Sequence, residues 1–261
     1  MLAPETYRMK DWALITGASA GIGLELARLF AAGGHNLVLV ARDEKRLSAL
    51  ANELKQAHEI ETRVLPADLA RPGAAAAIFE GVRDLEVSVL VNNAGFGHYG
   101  EFARTDLRAQ SDLIQVNIAA LVELTHHFLQ PMLKRNRGRI LNVASVAAFQ
   151  PGPTVNVYYA SKAFVYSFSY ALANELANTA ITVTTLCPGT TRTEFFDRAN
   201  IHMSRPWPMT SAREVAEVGY RATMRGQRVA IPGLMNRIMA RVSPCLPSRW
   251  TSAIVKKVHA K

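Results

Sequence analysis

Short apolar segments of β-forming residues alternate with longer amphipathic segments along most of this chain. Each apolar segment is a near-continuous hydrophobic run, which burial on both faces of a parallel sheet requires. Between the runs, apolar residues recur at helical spacing, for example at Ile22, Leu26 and Leu29. The runs predicted as strands span residues 12–16, 36–41, 62–68, 87–93, 139–145, 181–187 and 227–231.

Strands that alternate with helices indicate parallel strands joined by right-handed crossovers. The sequence therefore predicts an α/β fold with a doubly wound, Rossmann-type parallel sheet of about seven strands in the order 3-2-1-4-5-6-7. We expect a single catalytic domain over residues 1–233. Within it, residues 189–212 lack a regular period and carry Pro206, Trp207 and Pro208, so we expect them to form a substrate lid.

Residues 234–261 form a basic, amphipathic C-terminal extension, either part of the same domain or an interface element. All 21 acidic residues of the chain precede Val218, whereas nine of the 30 basic residues follow Glu217 and leave a net charge of +9. Such a tail attracts anionic partners. It could make peripheral membrane contact, cover its own pocket or a subunit interface, or be a solvated basic face. We expect no nucleic-acid partner.

The composition favours a globular protein of a reducing compartment. Hydrophobic residues make up 49% of the 261 positions, which is enough for a sizeable core. The two cysteines, Cys187 and Cys245, do not form the paired framework of a disulfide scaffold. The N-terminal segment does not have the pattern of a secretory signal, and no apolar run approaches the roughly 20 residues that span a bilayer. We therefore expect a cytoplasmic protein.

Three glycines, Gly17, Gly21 and Gly23, lie between the first predicted strand and the first predicted helix. In a dinucleotide-binding turn, the first glycine allows a tight turn, the second lets the backbone approach a pyrophosphate, and the third lets helix and strand pack closely. The helix N-terminus adds unpaired N–H groups and a positive dipole end. An ordinary tight turn is the alternative. If the turn binds a cofactor, the neighbouring residues that contact it are Ser19, Ala20 and Ile22.

The end of the second strand bears on which nicotinamide cofactor binds. An acidic residue there would bind the ribose 2′-hydroxyl, whereas a nearby arginine would accommodate a 2′-phosphate. Ala41 ends the strand and Arg42 follows it. A guanidinium pairs bidentately with phosphate and stacks on adenine, so Arg42 favours NADP(H). The alternative is that Arg42 is merely exposed and Asp43 binds the ribose.

Tyr158 and Lys162 lie four residues apart, on one face of a predicted helix. A phenol has an ordinary pKa of about 10, and a nearby ammonium would lower the pKa towards a value useful in acid–base catalysis. Ser145 ends the predicted strand 139–145, at the edge where ligands of parallel sheets bind. Its hydroxyl could stabilise charge on a substrate oxygen. The alternative role of Ser145 is to cap the next segment.

The glycine turn, Asn93-Ala94-Gly95, Ser145 and the Tyr158–Lys162 pair occur in this order, and the chain thereby resembles the classical short-chain dehydrogenase/reductase family. The resemblance implies that Tyr158 is the general acid/base, that Lys162 lowers its pKa and holds the nicotinamide ribose, and that Ser145 orients the carbonyl. It also implies that Asn117 holds a proton-relaying water. Further expected cofactor contacts are Asp68 and Leu69 at the adenine, Asn93, Ala94 and Gly95 beside the adenosine ribose, and Pro188, Gly189, Thr191 and Thr193 beside the nicotinamide. The family usually has an aliphatic residue at the position of Thr191.

The sequence therefore predicts an NADP(H)-dependent oxidoreductase that transfers a hydride between the nicotinamide and a carbonyl or alcohol. The predicted pocket neighbours are mostly apolar, which favours a hydrophobic substrate; they are Phe96, Val146, Phe149, Pro188 and the 189–212 segment. The histidines, among them His98, His126 and His127, do not have ligand spacing, so we expect no metal.

One alternative to this function is a 3-oxoacyl reductase acting on thioesters. Another is a nucleotide-sensing or scaffold protein without turnover. The resemblance also implies a homodimer or homotetramer, built by helices near 106–134 and 157–178.

Overall fold

A computed structural model describes residues 11–195 and 209–259 of the chain. Seven strands form one parallel sheet in the order β3-β2-β1-β4-β5-β6-β9, and the two-residue strands β7 and β8 pair separately. The predicted fold class and strand order are confirmed, because β9 is the seventh strand of the sheet. The strands are β1 Trp12–Thr16, β2 Asn36–Ala41, β3 Thr62–Pro66, β4 Val87–Asn92, β5 Gly138–Val143, β6 Ile181–Leu186, β7 Thr191–Arg192, β8 Thr210–Ser211 and β9 Val229–Ala230.

Helices cover both faces of the sheet. A five-residue π-helix, Gln115–Ala119, lies between α4 and α5, and a short 3₁₀ helix, Val146–Phe149, follows β5. The α-helices are α1 Gly21–Ala32, α2 Glu44–His58, α3 Ala74–Glu80, α4 Leu107–Ile114, α5 Ala120–Arg135, α6 Asn156–Glu175, α7 Ala212–Met224, α8 Leu234–Val242 and α9 Ser248–His259.

The continuous apolar runs of the central strands supply two separate cores. In β1, Ala13 and Ile15 belong to the cluster under α1 and α7, whereas Trp12 and Leu14 belong to the cluster under α3 and α5. All five residues of β1 are buried. Successive side chains of a strand point to opposite faces, so a strand covered on both faces is apolar at most positions.

A chain of buried polar side chains fixes α6 on the sheet. The Asn92 amide donates to Asn142 Oδ1 (2.9 Å) and to Thr125 Oγ1 (3.0 Å), and the Asn142 amide donates to Ser169 Oγ (2.8 Å). Ser169 Oγ then donates to the Val165 carbonyl at 2.6 Å. Because buried polar groups are costly unless paired, this series of hydrogen bonds favours one position of α6 on the sheet over the neighbouring ones.

Several sequence-based boundaries need correction. The strands predicted at 62–68 and 227–231 are shorter, Thr62–Pro66 and Val229–Ala230. β5 ends at Val143, and Ser145 is not in the strand; it is the N-cap of the short helix Val146–Phe149, where its Oγ accepts from the Ala147 N–H at 3.1 Å. In the predicted lid, Thr191–Arg192 and Thr210–Ser211 pair as short parallel strands. Residues 196–208, with Pro206, Trp207 and Pro208, lie outside the described residues.

The C-terminal extension packs on the carboxyl edge of the sheet. The Asn236 side chain of α8 lies against Gly189 and donates to the Pro232 carbonyl at 2.7 Å. Ser243 Oγ is 3.2 Å from Gln150 Oε1, in the segment that follows the Val146–Phe149 helix. The inner side of the extension therefore contacts two loops that follow adjacent strands.

His35 is a buried titratable group between α1 and β2. Its side chain is 1% exposed, and its Nδ1 lies 3.3 Å from the Phe30 carbonyl. Burial is the main cause that lowers the pKa of His35 from 6.5 to about 4, and Arg139 and Arg137 lower it further. The hydrogen bond with Phe30 acts in the opposite direction. The folded state therefore holds a neutral imidazole at neutral pH.

This burial predicts a loss of stability in acid. A histidine whose folded pKa is depressed stabilises the fold fully above the unfolded pKa of 6.5, and that contribution is lost as the pH falls towards about 4. We expect His35 to lower the free energy of unfolding by about 2 kcal/mol between pH 7 and pH 5. Urea unfolding of the chain and of His35→Gln at both pH values measures this. The exposed His58→Gln is the control, and an equal pH dependence in all three proteins would contradict the prediction.

Candidate active site

The glycine turn lies at the carboxyl end of β1 in a conformation that side chains would disturb. Gly17 and Gly21 have φ values of 68° and 57°, in the left-handed region. A Cβ on Gly23 would overlap the Gly17 carbonyl and the Asn93 amide. Ala20, the N-cap of α1, provides no side-chain hydrogen bond, so the first N–H groups of α1 have no side-chain cap. This arrangement fits a bound pyrophosphate.

Thr16 and Asn93 join the glycine turn to the end of β4. Thr16 Oγ1 donates to the Val91 carbonyl (3.2 Å) and accepts from the N–H groups of Asn93 and Ala94 (3.0 Å each). The Asn93 amide donates to the carbonyls of Thr16 (2.8 Å) and Gly17 (3.3 Å). The sequence analysis did not identify Thr16. Its position at a strand end, next to the first glycine, is the signal that could have identified it.

The ends of β2 and β3 bring charged groups to the same edge. Arg42 is exposed and forms no hydrogen bond or ion pair with any residue in 11–195 or 209–259. Asp43 caps α2 by accepting from the Arg46 N–H at 3.0 Å, and its carboxylate also pairs with the Arg46 guanidinium at 3.4 Å. Arg46 pairs in addition with Glu194 at 2.9 Å. The Asp43 carboxylate therefore already has partners, whereas the Arg42 guanidinium is available.

The two residues predicted beside the adenine follow β3. Asp68 accepts from the Ala70 N–H at 3.2 Å and is partly exposed, and Leu69 is 7% exposed within the core under α3. The Ala67 N–H donates to the Ala41 carbonyl at 2.9 Å, which holds this turn next to the end of β2. Asp68 and Arg42 thus lie after neighbouring strands.

Tyr158, Lys162 and Ser145 come together beyond the end of β5. Tyr158 and Lys162 lie on one face of α6, with the Lys162 Nζ 5.8 Å from the centroid of the Tyr158 ring. Lys162 is 5% exposed and its Nζ donates to the Val143 carbonyl at 2.8 Å. Ser145 Oγ lies 3.4 Å from the Pro188 carbonyl and hydrogen-bonds the Tyr158 side chain. The structure therefore brings together the three side chains that the sequence grouped.

Burial is the largest influence on the pKa values of Tyr158 and Lys162, whereas the sequence analysis considered only the effect of the ammonium on the phenol. Burial raises the pKa of Tyr158 to about 12, and the hydrogen bond with Ser145 lowers it only in part. Burial lowers the pKa of Lys162 to about 8, and the thiol of Cys187 acts against that shift. Among the groups around the phenol, Ser145 lowers its pKa. The role of Lys162 in lowering the pKa of Tyr158 stays a prediction.

Asn117 lies at the centre of the π-helix and holds the loop that follows β4. Its Oδ1 accepts from the Phe96 N–H (3.1 Å), and its Nδ2 donates to the Phe96 carbonyl and to Ser161 Oγ (both 3.0 Å). A Cβ on Gly95 would lie 3.0 Å from Asn117 Oδ1 and 3.3 Å from Lys162 Nζ. The side chain therefore connects Gly95 and Phe96 to α6. Single-turn π-helices are frequent at functional sites.

The segment after β6, which the sequence analysis placed beside the nicotinamide, lies next to Ser145. The Pro188 carbonyl accepts from the Val146 N–H at 2.9 Å, so this segment and Ser145 are held together. Gly189 lies against Asn236, and Thr191 is buried, with its hydroxyl donating to the Gly189 carbonyl at 2.9 Å. Thr193 faces the glycine turn, since a Cβ on Gly21 would lie 3.0 Å from its methyl group.

Aromatic side chains that the sequence analysis did not name surround Tyr158. The Phe195 ring lies 5.2 Å from the Tyr158 ring and the Tyr159 ring lies 6.1 Å from it. Phe195, Tyr159 and Tyr99 pack around Val155. Among the expected pocket neighbours, Phe149 packs on Tyr166 at 4.9 Å and Phe96 packs on the core under α3 and α5. Only Phe195 could have been suspected, because it lies in the predicted lid.

The fold and this site together define a nicotinamide-dependent oxidoreductase on a parallel α/β sheet. A family model described as short chain dehydrogenase matches residues 11–203. The chain therefore belongs to the short-chain dehydrogenase family.

The relatives with this fold include steroid and acyl-chain enzymes. The chain is 32% identical over 183 residues to a 7beta-hydroxysteroid dehydrogenase of Collinsella aerofaciens, with 70% of each chain covered. It is 31% identical over 240 residues to a very-long-chain 3-oxoacyl-CoA reductase of Rattus norvegicus, which covers 90% of this chain and 77% of that protein. A solved short-chain dehydrogenase from Sphingobium yanoikuyae in complex with NADPH is 36% identical, with a TM-score of 0.82. The match covers 89% of this chain and 92% of that chain.

Two further findings concern the described part of the chain. Within residues 11–195 and 209–259, histidine, cysteine and acidic side chains form no group of three or more that could bind a metal ion. None of the helices described there has both the length and the apolar character that a membrane-spanning helix needs.

The geometry of the glycine turn predicts a specific loss of cofactor affinity. In Gly23→Ala, the added methyl group would displace the Gly17 carbonyl or the Asn93 amide, so we expect the Kd values for NADPH and NADH to rise at least about tenfold. Gly34→Ala is the control, because nothing lies within 4 Å of its Cβ and only its left-handed backbone is strained. Fluorescence titration measures both variants. Unchanged affinity in Gly23→Ala would show that the turn does not contact the cofactor.

Proposed function

We propose that the chain is an NADP(H)-dependent carbonyl reductase whose reaction uses Ser145, Tyr158 and Lys162. The observation that carries this proposal is the convergence of three side chains: Lys162 Nζ lies 5.8 Å from the centroid of the Tyr158 ring on the same face of α6, and Ser145 lies close enough to lower the pKa of the phenol. The three groups lie at the carboxyl edge of the sheet, beside the glycine turn, where ligands of open parallel sheets bind.

The chemistry of these residues is a proton transfer. The raised pKa of Tyr158 keeps the phenol protonated at neutral pH, so the phenol can give its proton to a carbonyl oxygen. Ser145 can hydrogen-bond the same oxygen and stabilise the charge that develops on it. The bound nicotinamide would supply the hydride. Lys162 would hold the ribose, and Asn117 would fix the loop at Gly95 and Phe96 and hold the water that serves Lys162.

The surroundings of Arg42 support NADP(H) over NAD(H). Arg42 is exposed beyond β2, and Asp43, which would have to bind the ribose of NAD(H), instead caps α2 and pairs with Arg46. A similar structure was solved in complex with NADPH. In this proposal Arg42 binds the 2′-phosphate, Asp68 and Leu69 contact the adenine, and Asn93 to Gly95 adjoin the adenosine ribose. Pro188, Gly189, Thr191 and Thr193 adjoin the nicotinamide.

The aromatic residues around Tyr158 support a hydrophobic substrate. Tyr159, Phe195 and Tyr99 form an apolar wall beside the phenol. A bulky ketone suits this wall, and the relatives include a hydroxysteroid dehydrogenase. The relatives named as 3-oxoacyl-CoA reductases favour a second candidate, a 3-oxoacyl thioester. Competition between a steroid ketone and a 3-oxoacyl thioester for the same enzyme distinguishes the two.

Location and assembly belong to the same proposal. Cys187 and Cys245 are free thiols, which suits the reducing cytoplasm. Large apolar side chains on α4 to α6 are exposed, namely Ile114, Leu133, Phe164 and Tyr170. Such a surface supports a homodimer or homotetramer built through these helices.

Substitution of Tyr158 distinguishes the reductase from a nucleotide sensor. In Tyr158→Phe the ring remains but the proton donor is lost, so we expect kcat to fall about 10²–10⁴-fold. The Kd for NADPH should change little. The matched control is Tyr159→Phe, on the same helix, which should keep most of its turnover. NADPH oxidation at 340 nm with a ketone panel measures both, and full turnover in Tyr158→Phe would support a different catalytic group.

Substitution of Arg42 tests the cofactor preference separately. Loss of a charged hydrogen bond costs about 1.5–3 kcal/mol, so in Arg42→Ala we expect KM for NADPH to rise roughly 10–100-fold. KM for NADH should stay unchanged, because NADH has no 2′-phosphate. Arg83→Ala, at another exposed arginine, is the control. A parallel rise for both cofactors, or for neither, would contradict the role of Arg42.

A further inference from the structure

The C-terminal extension exposes a series of large apolar side chains. They recur every four residues within each helix: Leu234, Ile238 and Val242 on α8, Leu246 in the connecting segment, and Trp250 and Ile254 on α9. Leu234 is 72% exposed, and Trp250 and Ile254 are 55% and 56% exposed. Residues four apart share one helix face. We call these six residues the apolar stripe.

The opposite faces of the same helices are buried on the protein. On α8, Asn236 contacts Gly189 and Ala240 is 7% exposed. On α9, Thr251 and Val255 are 3% and 4% exposed. Packing against the chain itself therefore accounts for one face of each helix and leaves the apolar stripe uncovered by the described residues.

Basic residues accompany the stripe without any acidic neighbour in sequence. Arg237, Arg241, Arg249, Lys256 and Lys257 lie on α8 and α9, and the last acidic residue of the chain is Glu217. On α8, Arg237 and Arg241 fall beside Leu234 and Ile238 at helical spacing. Apolar side chains bordered by cations suit the boundary between lipid tails and anionic headgroups, and tryptophan is enriched there.

We propose that the apolar stripe and its flanking basic residues dock the protein onto the surface of a membrane that contains anionic lipid. The two helices have 9 and 12 residues, which is too short to span a bilayer, so they would lie in the plane of the headgroups.

A second copy of the chain fits this surface less well. A symmetric contact brings the same patch of both copies together, so the basic residues would face one another. No acidic residue after Glu217 is present to pair with them. An anionic lipid surface offers compensating charge along the whole stripe. On its inner side the extension contacts Gly189 through Asn236 and Gln150 through Ser243, so docking would take place next to the proposed active site.

Sedimentation with vesicles tests the proposal on the full chain. We expect the protein to pellet with vesicles of phosphatidylcholine and phosphatidylglycerol (7:3) and to remain in solution with pure phosphatidylcholine, with less binding as salt rises. Each cation near an anionic surface strengthens binding about fivefold, so Arg241→Gln with Arg249→Gln should weaken binding roughly 10–30-fold. The double variant Ile238→Ser with Trp250→Ser should abolish pelleting, because both substitutions remove apolar area from the lipid contact.

The controls separate docking from misfolding and from self-association. Phe102→Ser removes an apolar residue that is 56% exposed and lies outside α4 to α6, and Arg83→Gln removes an exposed cation elsewhere; both should bind vesicles like the unmodified chain. Thermal unfolding and turnover of a small ketone should be unchanged in all variants. Absence of pelleting with both lipids would overturn the proposal. So would a change of oligomeric state in Ile238→Ser with Trp250→Ser while vesicle binding persists, because the stripe would then be a subunit interface.

Discussion

The hydrogen bonds between Thr16 and the segment Asn93–Ala94 are the interaction on which the site depends. They join the ends of β1 and β4, two neighbouring strands in the middle of the sheet, at the point where each strand ends. The Asn93 amide returns the contact by binding the carbonyls of Thr16 and Gly17. The glycine turn is therefore held by the side chains of Thr16 and Asn93. The first N–H groups of α1 have no side-chain cap, which suits a helix N-terminus that binds an anion.

The strands could be predicted closely because a buried parallel strand consists mostly of apolar and β-branched residues. β1, β2 and β6 begin and end within one residue of the apolar runs from which they were inferred. The pattern could not locate the end of β5, because Ala144 and Ser145 continue the run in composition. That strand ends where the Ser145 hydroxyl binds the Ala147 N–H, which is a local hydrogen bond and not a change in hydrophobicity.

The residues of the site could be grouped from sequence, but their connections could not. Spacing places Tyr158 and Lys162 on one helix face, and the parallel sheet brings Ser145 to the same edge. The π-helix at Gln115–Ala119 has no proline or glycine that would predict it. It forms around Asn117, whose bonds to Phe96 and Ser161 come from elements distant in sequence. Contacts of this kind, like the wall of Tyr99, Tyr159 and Phe195, depend on tertiary packing that a helical period does not encode.

Burial shifts the pKa values of Tyr158 and Lys162 in opposite directions. A low-dielectric site disfavours both phenolate and ammonium, so the phenol pKa rises to about 12 while the ammonium pKa falls to about 8. At neutral pH both groups still carry their protons. A phenol with a raised pKa is a weaker acid, so proton transfer at neutral pH would be helped by positive charge near its oxygen. The Lys162 ammonium, 5.8 Å from the centroid of the phenol ring, lies on the same helix face and is the group of this chain that would supply such charge.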